Sequence, residues 1–133
     1  VERSRGLGDV YKRQVDDMAS AYAAADLMVA RSGAGTVVET ATVGLPTIYV
    51  PLPHGNGEQA RNATSAVDAG AGVVVANADL DVERLLAETV RIHDADVLAQ
   101  MSAAGRGLMP AHAAEEMAVR VISAATSIDP TIG

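Results

Sequence analysis

The residues best suited to chemistry form a run of small and polar side chains, RSGAGTVVE, at residues 31–39. Its glycines allow a ligand to approach the backbone closely, and its serine and threonine carry hydroxyl donors. A helix beginning here would direct free amides and a positive dipole end at a phosphate. Glu39 lies about one helical turn after Thr36 and could accept hydrogen bonds from both hydroxyls of a ribose. The candidate phosphate-binding residues are Ser32, Gly33, Ala34, Gly35 and Thr36.

The same run has a simpler interpretation. Loops of small residues often connect a strand to a helix without binding any ligand. Arg31 is then a surface or ion-pairing residue, and Glu39 a solvated helix residue. The local spacing leaves both interpretations open.

A second polar run, PLPHGNGEQARNA, occupies residues 51–63. It offers hydrogen-bonding groups suited to sugar hydroxyls at His54, Asn56, Glu58 and Gln59. The alternative is a loop histidine bonded to backbone and an ordinary acidic residue at a helix start. Each run follows an expected strand, so in a parallel sheet both would emerge at the same edge.

Helix and strand signals alternate from Val15 onward, and the pattern predicts a parallel sheet flanked by helices. Asp16 or Asp17 can cap the first helix, and Asp79 or Asp81 the fourth. That fourth helix carries an apolar stripe at 82, 85, 86, 89, 90 and 93. The expected helices are 18–25, 36–44, 58–68, one after 81, 95–105 and 112–126, and the expected strands are 26–30, 46–50 and 73–76.

The fold class that follows is α/β, with a Rossmann-like parallel sheet. Doubly wound sheets usually have five or six strands, whereas only three are visible here, so we expect part of a larger domain. Residues 1–14 show no helical or strand period and resemble a translated adapter sequence. We therefore expect a non-native or unstructured leader at 1–14, a domain at 15–126 and a tail at 127–133.

Composition excludes several classes of function. The 133 residues contain no Cys, Phe or Trp, which excludes disulfides, thiolate zinc sites and cysteine nucleophiles. Three tyrosines cannot form a stacking platform for bases. The net charge of −7, with a local +2 at 1–14 and −9 elsewhere, argues against nucleic-acid binding. The three histidines are not spaced as a ligand pair, so neither a metal nor a cofactor is expected.

Four motifs together resemble the MurG family of bacterial UDP-N-acetylglucosamine transferases of peptidoglycan synthesis. They are VDDM at 15–18, R-S-G-A-x-T-x-x-E at 31–39, G-L-P-x-x-x-V-P at 44–51, and H-x-x-x-x-Q-x-x-N-A at 54–63. The resemblance covers about residues 15–125, and the GNGEQ variant is similar to actinobacterial members. It implies a GT-B fold of which this chain supplies most of the C-terminal, donor-binding domain.

The resemblance also implies roles for individual residues. Val15 would meet uracil through its backbone, with Met18 packed nearby. The amides of Ala34, Gly35 and Thr36 would face the phosphates, with Ser32 and Gly33 shaping the loop. Glu39 would bind the ribose, and Glu58 and Gln59 the N-acetylglucosamine hydroxyls, although many relatives have Gln in place of Glu58.

The implied reaction is an inverting transfer of N-acetylglucosamine from UDP-N-acetylglucosamine to lipid I, which yields lipid II. No catalytic base is expected in this chain, so the fragment alone should be inactive. Acceptor binding and membrane contact would belong to the missing half of a cytoplasmic enzyme that is peripheral on the cell membrane. The alternatives are another GT-B UDP-sugar transferase or epimerase, or a non-catalytic nucleotide-binding module.

Overall fold

A computed structural model describes residues 14–110 and 112–126 as an alternating series of helices and strands. The expected leader and tail lie outside these residues, except for Gln14. A 3₁₀ turn at Asn77–Asp79 follows the last strand. The helices are α1 (Met18–Ala24), α2 (Ala34–Val43), α3 (Glu58–Asp68), α4 (Val82–Ile92), α5 (Ala95–Leu108) and α6 (Ala113–Thr126), and the strands are β1 (Met28–Ala30), β2 (Thr47–Tyr49) and β3 (Gly72–Val74).

The described strands form one parallel sheet in the order β1-β2-β3. Thr47 pairs with Met28 on one side and with Gly72 on the other, which fixes the register. All three β2 residues are buried, as expected for the central strand. The α/β fold class predicted from the sequence, with a parallel sheet flanked by helices, is confirmed.

Alternation along β2 divides the core between the two faces of the sheet. Tyr49 packs with Val37 of α2 and Ala63 of α3. Ile48 points the other way and packs with Ile92 of α4 and with α5. Small residues let the helices approach closely, as expected for a chain with almost no aromatic side chains.

The helix ends follow the capping chemistry of the sequence. Asp17 caps α1 by accepting from the Ser20 amide, and Asp81 caps α4 by accepting from the Arg84 amide. Gly44 ends α2 in the left-handed conformation, with φ of 70°. A side chain here would be strained and would also collide with Arg106 of α5.

Several details differ from the expectations, and α2 begins at Ala34 rather than at Thr36. The third strand begins at Gly72 rather than Val73. A Cβ at position 72 would lie 2.6 Å from the Tyr49 ring, so only glycine lets this residue pair with Thr47. Only two members of the stripe expected on α4, Leu85 and Thr89, lie on its buried face. Leu85, Thr89 and Ile92 face the sheet at helical spacing, whereas the adjacent positions are exposed. The exposed stripe residues are Val82, Leu86 and Val90.

No helix within 14–110 or 112–126 combines the length and apolar character needed to cross a bilayer.

Candidate functional site

The loops that follow the three strands meet at the carboxyl edge of the sheet. Arg31, directly after β1, donates to the Val50 carbonyl at 3.2 Å and to Asn77 Oδ1 at 2.6 Å. A further contact reaches the Pro51 carbonyl at 3.5 Å. Arg31 thus joins the ends of all three strands, instead of acting as a plain surface residue. Ligands of parallel α/β sheets bind at this edge.

The amino end of α2 lies at this edge and is open. Gly33 is its N-cap, and among the described residues no side chain caps the helix. Ala34 and Gly35 are exposed, and Thr36 is half-buried. A Cβ placed on Gly33 or Gly35 would meet no atom within 4 Å. The first-turn amides and the positive end of the helix dipole therefore face space that an anion can enter.

Ser32 points inward, away from this space. Its side chain is fully buried, and its hydroxyl donates to the Gln59 carbonyl at 2.7 Å. Asn62 Nδ2 donates to the Ser32 carbonyl at 3.1 Å. The interpretation of Ser32 as a hydroxyl donor to a ligand is therefore wrong, because this hydroxyl donates to the Gln59 carbonyl instead. The geometry fits the alternative in which Ser32 shapes the loop.

The second polar run is joined to the first through the start of α3. Gln59 Oε1 accepts from the Leu52 amide at 2.8 Å, which leaves the amide nitrogen of this half-buried side chain as the donor group. Glu58 is exposed in the first turn of α3. His54 and Asn56 are also exposed. The two runs therefore lie together as predicted, joined by the hydrogen bond from Ser32 to the Gln59 carbonyl.

A groove of about 390 Å³ separates α1 from α2. Met18 and Tyr22 line it from α1, and Val38 and Glu39 from α2. The Tyr22 hydroxyl donates to Glu39 Oε2 at 2.7 Å. That bond, followed by burial and the Glu39 charge, raises the pKa of Tyr22. The groove has the size of a small-ligand site.

Apart from Val15, Ser32 and Gly33, the sequence-predicted residues fall into three groups. Met18 and Glu39 share the groove, while Ala34, Gly35 and Thr36 form the open helix end. Glu58 and Gln59 begin α3 and do not line the groove. Val15 lies just before α1 and is 54% exposed.

A larger cavity of about 490 Å³ adjoins this groove, and Ala19, Tyr22 and Val43 line both. Leu45 and Pro46, which precede β2, contribute to its wall together with Leu98 and Arg106 of α5. These residues mark the amino-terminal edge of the sheet, away from the loops that carry the candidate residues. The smaller groove is therefore the better candidate, despite its size, because it contains Glu39.

No cluster of three potential metal-ligating side chains occurs in the part of the chain that the structure describes.

Sequence reasoning missed the roles of Tyr22, Asn62 and Asn77. Tyr22 follows Met18 by one helical turn, and this spacing could have placed both on one face. No local pattern indicated that Asn77 would meet Arg31, because 46 residues separate them.

The chain is similar to known proteins in both sequence and fold. The model of the glycosyltransferase family 28 C-terminal domain matches residues 8–118. A Cutibacterium acnes protein named UDP-N-acetylglucosamine--N-acetylmuramyl-(pentapeptide) pyrophosphoryl-undecaprenol N-acetylglucosamine transferase is 99% identical over 119 residues, covering 90% of this chain and 32% of that protein. A Corynebacterium efficiens protein of the same name is 50% identical over 112 residues, or 84% of this chain and 31% of that protein.

Among solved structures, the crystal structure of Acinetobacter baumannii MurG matches with a TM-score of 0.72 and 31% identity. The match covers 78% of this chain and 32% of that chain. The chain therefore spans about a third of the length of the relatives that it matches. Because the family model covers most of its residues, the chain belongs to the glycosyltransferase family 28 C-terminal domain family.

Proposed function

We propose that this chain is the donor-binding part of an enzyme that transfers N-acetylglucosamine from UDP-N-acetylglucosamine to lipid I. The observation that carries the proposal is the groove in which Met18 and Glu39 meet, close along α2 to an uncapped helix end. The name of the 99% identical relative supports the choice of donor and reaction.

The donor would lie along the first half of α2. Uracil would contact the backbone of Val15 and pack near Met18, and the ribose hydroxyls would donate to the Glu39 carboxylate. The diphosphate would accept from the amides of Ala34, Gly35 and Thr36. Gly33 supports this arrangement, because the fold does not require glycine there. Its backbone angles of −60° and 149° suit any residue, and an added Cβ would meet no atom within 4 Å.

The sugar would reach the start of α3. Glu58 is exposed there, and Gln59 has its amide nitrogen available as a donor while Oε1 is held by the Leu52 amide. The Ser32–Gln59 bond would keep the sugar contacts at a fixed distance from the phosphate contacts. Such preorganisation lowers the entropic cost of donor binding.

In the reaction, the 4-hydroxyl of the N-acetylmuramoyl group of lipid I would attack the anomeric carbon and displace UDP with inversion. Negative charge would develop on the departing diphosphate. The α2 amides would stabilise that charge, because they are fixed and oriented before the reaction begins. These residues supply no base for the attacking hydroxyl, so the isolated chain is expected to be inactive.

The remaining functions would fall to the rest of the enzyme. Lipid I would bind to the N-terminal domain, which would also contact the cytoplasmic face of the membrane. The net charge of −9 over residues 15–133 supports this division, because an acidic surface is repelled by anionic lipid.

The proposal is tested by Glu39→Ala in the full-length enzyme. Removing the carboxylate should weaken UDP-N-acetylglucosamine binding by at least about tenfold, because two hydrogen bonds to a charged group are lost. Isothermal titration calorimetry measures the affinity. Glu115→Ala, at an exposed position of α6, is the matched control and should bind as the wild type does. Unchanged affinity in Glu39→Ala would refute the ribose assignment.

A further inference from the structure

A tyrosine of the α1–α2 groove has no role in the proposed donor contacts. Tyr22 donates its hydroxyl to Glu39 Oε2 at 2.7 Å across the groove. Tyr22 is half-buried, whereas Glu39 is exposed. The ring is thus the better fixed partner, and the bond restrains a carboxylate that would otherwise move in solvent.

Restraint of Glu39 matters because a ribose presents two neighbouring hydroxyls in a fixed geometry. A glutamate side chain has several rotatable bonds, and fixing them when the ligand arrives reduces the affinity. The bond from Tyr22 fixes the carboxylate before the ligand binds. The Tyr22 hydroxyl is protonated at neutral pH even at its ordinary pKa of 10.0, and this hydrogen bond raises that pKa further, so the hydroxyl can donate.

The bond to Tyr22 leaves room for the ribose. An ionised carboxylate offers about four lone-pair sites, two on each oxygen. Tyr22 uses one site on Oε2, so Oε1 and the second site of Oε2 remain for the two hydroxyls. Tyrosine and ribose can therefore be held by Glu39 at the same time.

We propose that Tyr22 is a positioning residue that holds the Glu39 carboxylate in the orientation required by the cis-diol of a ribose. The inference rests on the proposed function, in which Glu39 receives the ribose. The role of Tyr22 means that α1, which lies outside the run at 31–39, contributes to the selection of a ribonucleotide.

The experiment compares Tyr22→Phe with the wild-type full-length enzyme, using UDP and 2′,3′-dideoxyuridine diphosphate as ligands in calorimetry. The substitution should weaken UDP binding about 3- to 10-fold, because the carboxylate must now be ordered during binding. Affinity for the dideoxy ligand should not change, because that ligand has no hydroxyls for Glu39 to hold. An equal loss for both ligands, or no loss for UDP, would overturn the proposal.

Two further variants separate positioning from a structural effect. Tyr49→Phe removes a hydroxyl that is bonded to Thr40 Oγ1 at 2.8 Å in the core, so it should not change the ratio of the two affinities. In the double variant Tyr22→Phe/Glu39→Ala, the UDP affinity should equal that of Glu39→Ala alone. Additive losses would show that Tyr22 acts independently of Glu39 and would refute the positioning role.

The same measurements distinguish this inference from the proposed function. If the wild type binds UDP and Glu39→Ala loses affinity while Tyr22→Phe does not, only the positioning role fails. If Glu39→Ala binds UDP as the wild type does, the ribose contact fails and the role of Tyr22 falls with it.

Discussion

Gly33 occupies the N-cap of α2 with backbone angles that any L-residue adopts. A Cβ there would meet no described atom within 4 Å, so neither conformation nor packing requires glycine. Gly72 is the opposite case, because its added Cβ would collide with Tyr49 and with the Thr47 carbonyl. The fold alone explains the second glycine, whereas we propose that a ligand at the helix end explains the first.

Gly33→Ala should therefore separate binding from stability. Its free energy of unfolding should change by less than about 1 kcal/mol, the ordinary range for an N-cap substitution. Donor affinity should fall about tenfold, because the new methyl group occupies space at the phosphate position. Urea unfolding and calorimetry measure the two quantities. Gly107→Ala, at another uncrowded glycine in α5, should leave donor affinity unchanged, and a similar result for Gly33→Ala would argue against the phosphate site.

At the scale of elements, α1 is a helix of only seven residues that carries three of the groove residues, Met18, Ala19 and Tyr22. Short helices are marginal by themselves, so its start depends on capping. Asp17 accepts from the Ser20 amide at 3.0 Å and from the Ser20 hydroxyl at 2.6 Å. The second bond and then the first lower the pKa of Asp17 from its ordinary 3.8.

This cap should give α1 a pH dependence of known sign. Because the folded-state pKa of Asp17 is lowered, the stabilisation is present above about pH 4 and is lost as pH falls through the folded pKa. We expect the amides of α1 to exchange faster with solvent on acidification, as measured by hydrogen exchange. Asp17→Asn keeps a capping oxygen without the titration, so it should abolish the acid-dependent part of this change. An identical acid response in Asp17→Asn would contradict the assignment.

At the scale of the whole molecule, Arg31 connects the loops after all three strands. Its described partners are the carbonyls of Val50 and Pro51 and the side chain of Asn77. Hydrogen bonds from a charged group are stronger than those between neutral groups. These bonds from Arg31 therefore fix the loops at the carboxyl edge of the sheet, where the candidate residues converge.

Arg31→Ala should lower the free energy of unfolding by about 1–2 kcal/mol, because a charged donor to several loops is removed at a partly exposed site. Chemical denaturation measures the loss. Arg84→Ala removes the exposed partner of a helical ion pair with Glu88, which keeps its second partner Arg91, and serves as the control, for which we expect less than about 0.5 kcal/mol. Equal effects of the two substitutions would show that Arg31 does not clamp the loops.

The amino-acid sequence by itself determined the local features of this protein. Asp17 and Asp81 cap their helices and Gly44 ends α2, because each depends on neighbours within a few residues. The alternation of helices and strands predicts a parallel sheet, because parallel strands need crossover connections. The run at 31–39 could likewise be placed at the strand-to-helix junction. The motifs that resemble a glycosyltransferase family identified the same family as the comparisons did.

Only the tertiary structure decided which side chains meet across the chain. It turned Ser32 inward to Gln59, joined Arg31 to Asn77, and brought Tyr22 to Glu39. Each pair joins different segments, so its formation depends on how helices and strands pack, which local periodicity does not encode. The buried face of α4 was decided in the same way, because two adjacent apolar stripes satisfy the helical period and packing against the sheet selects one.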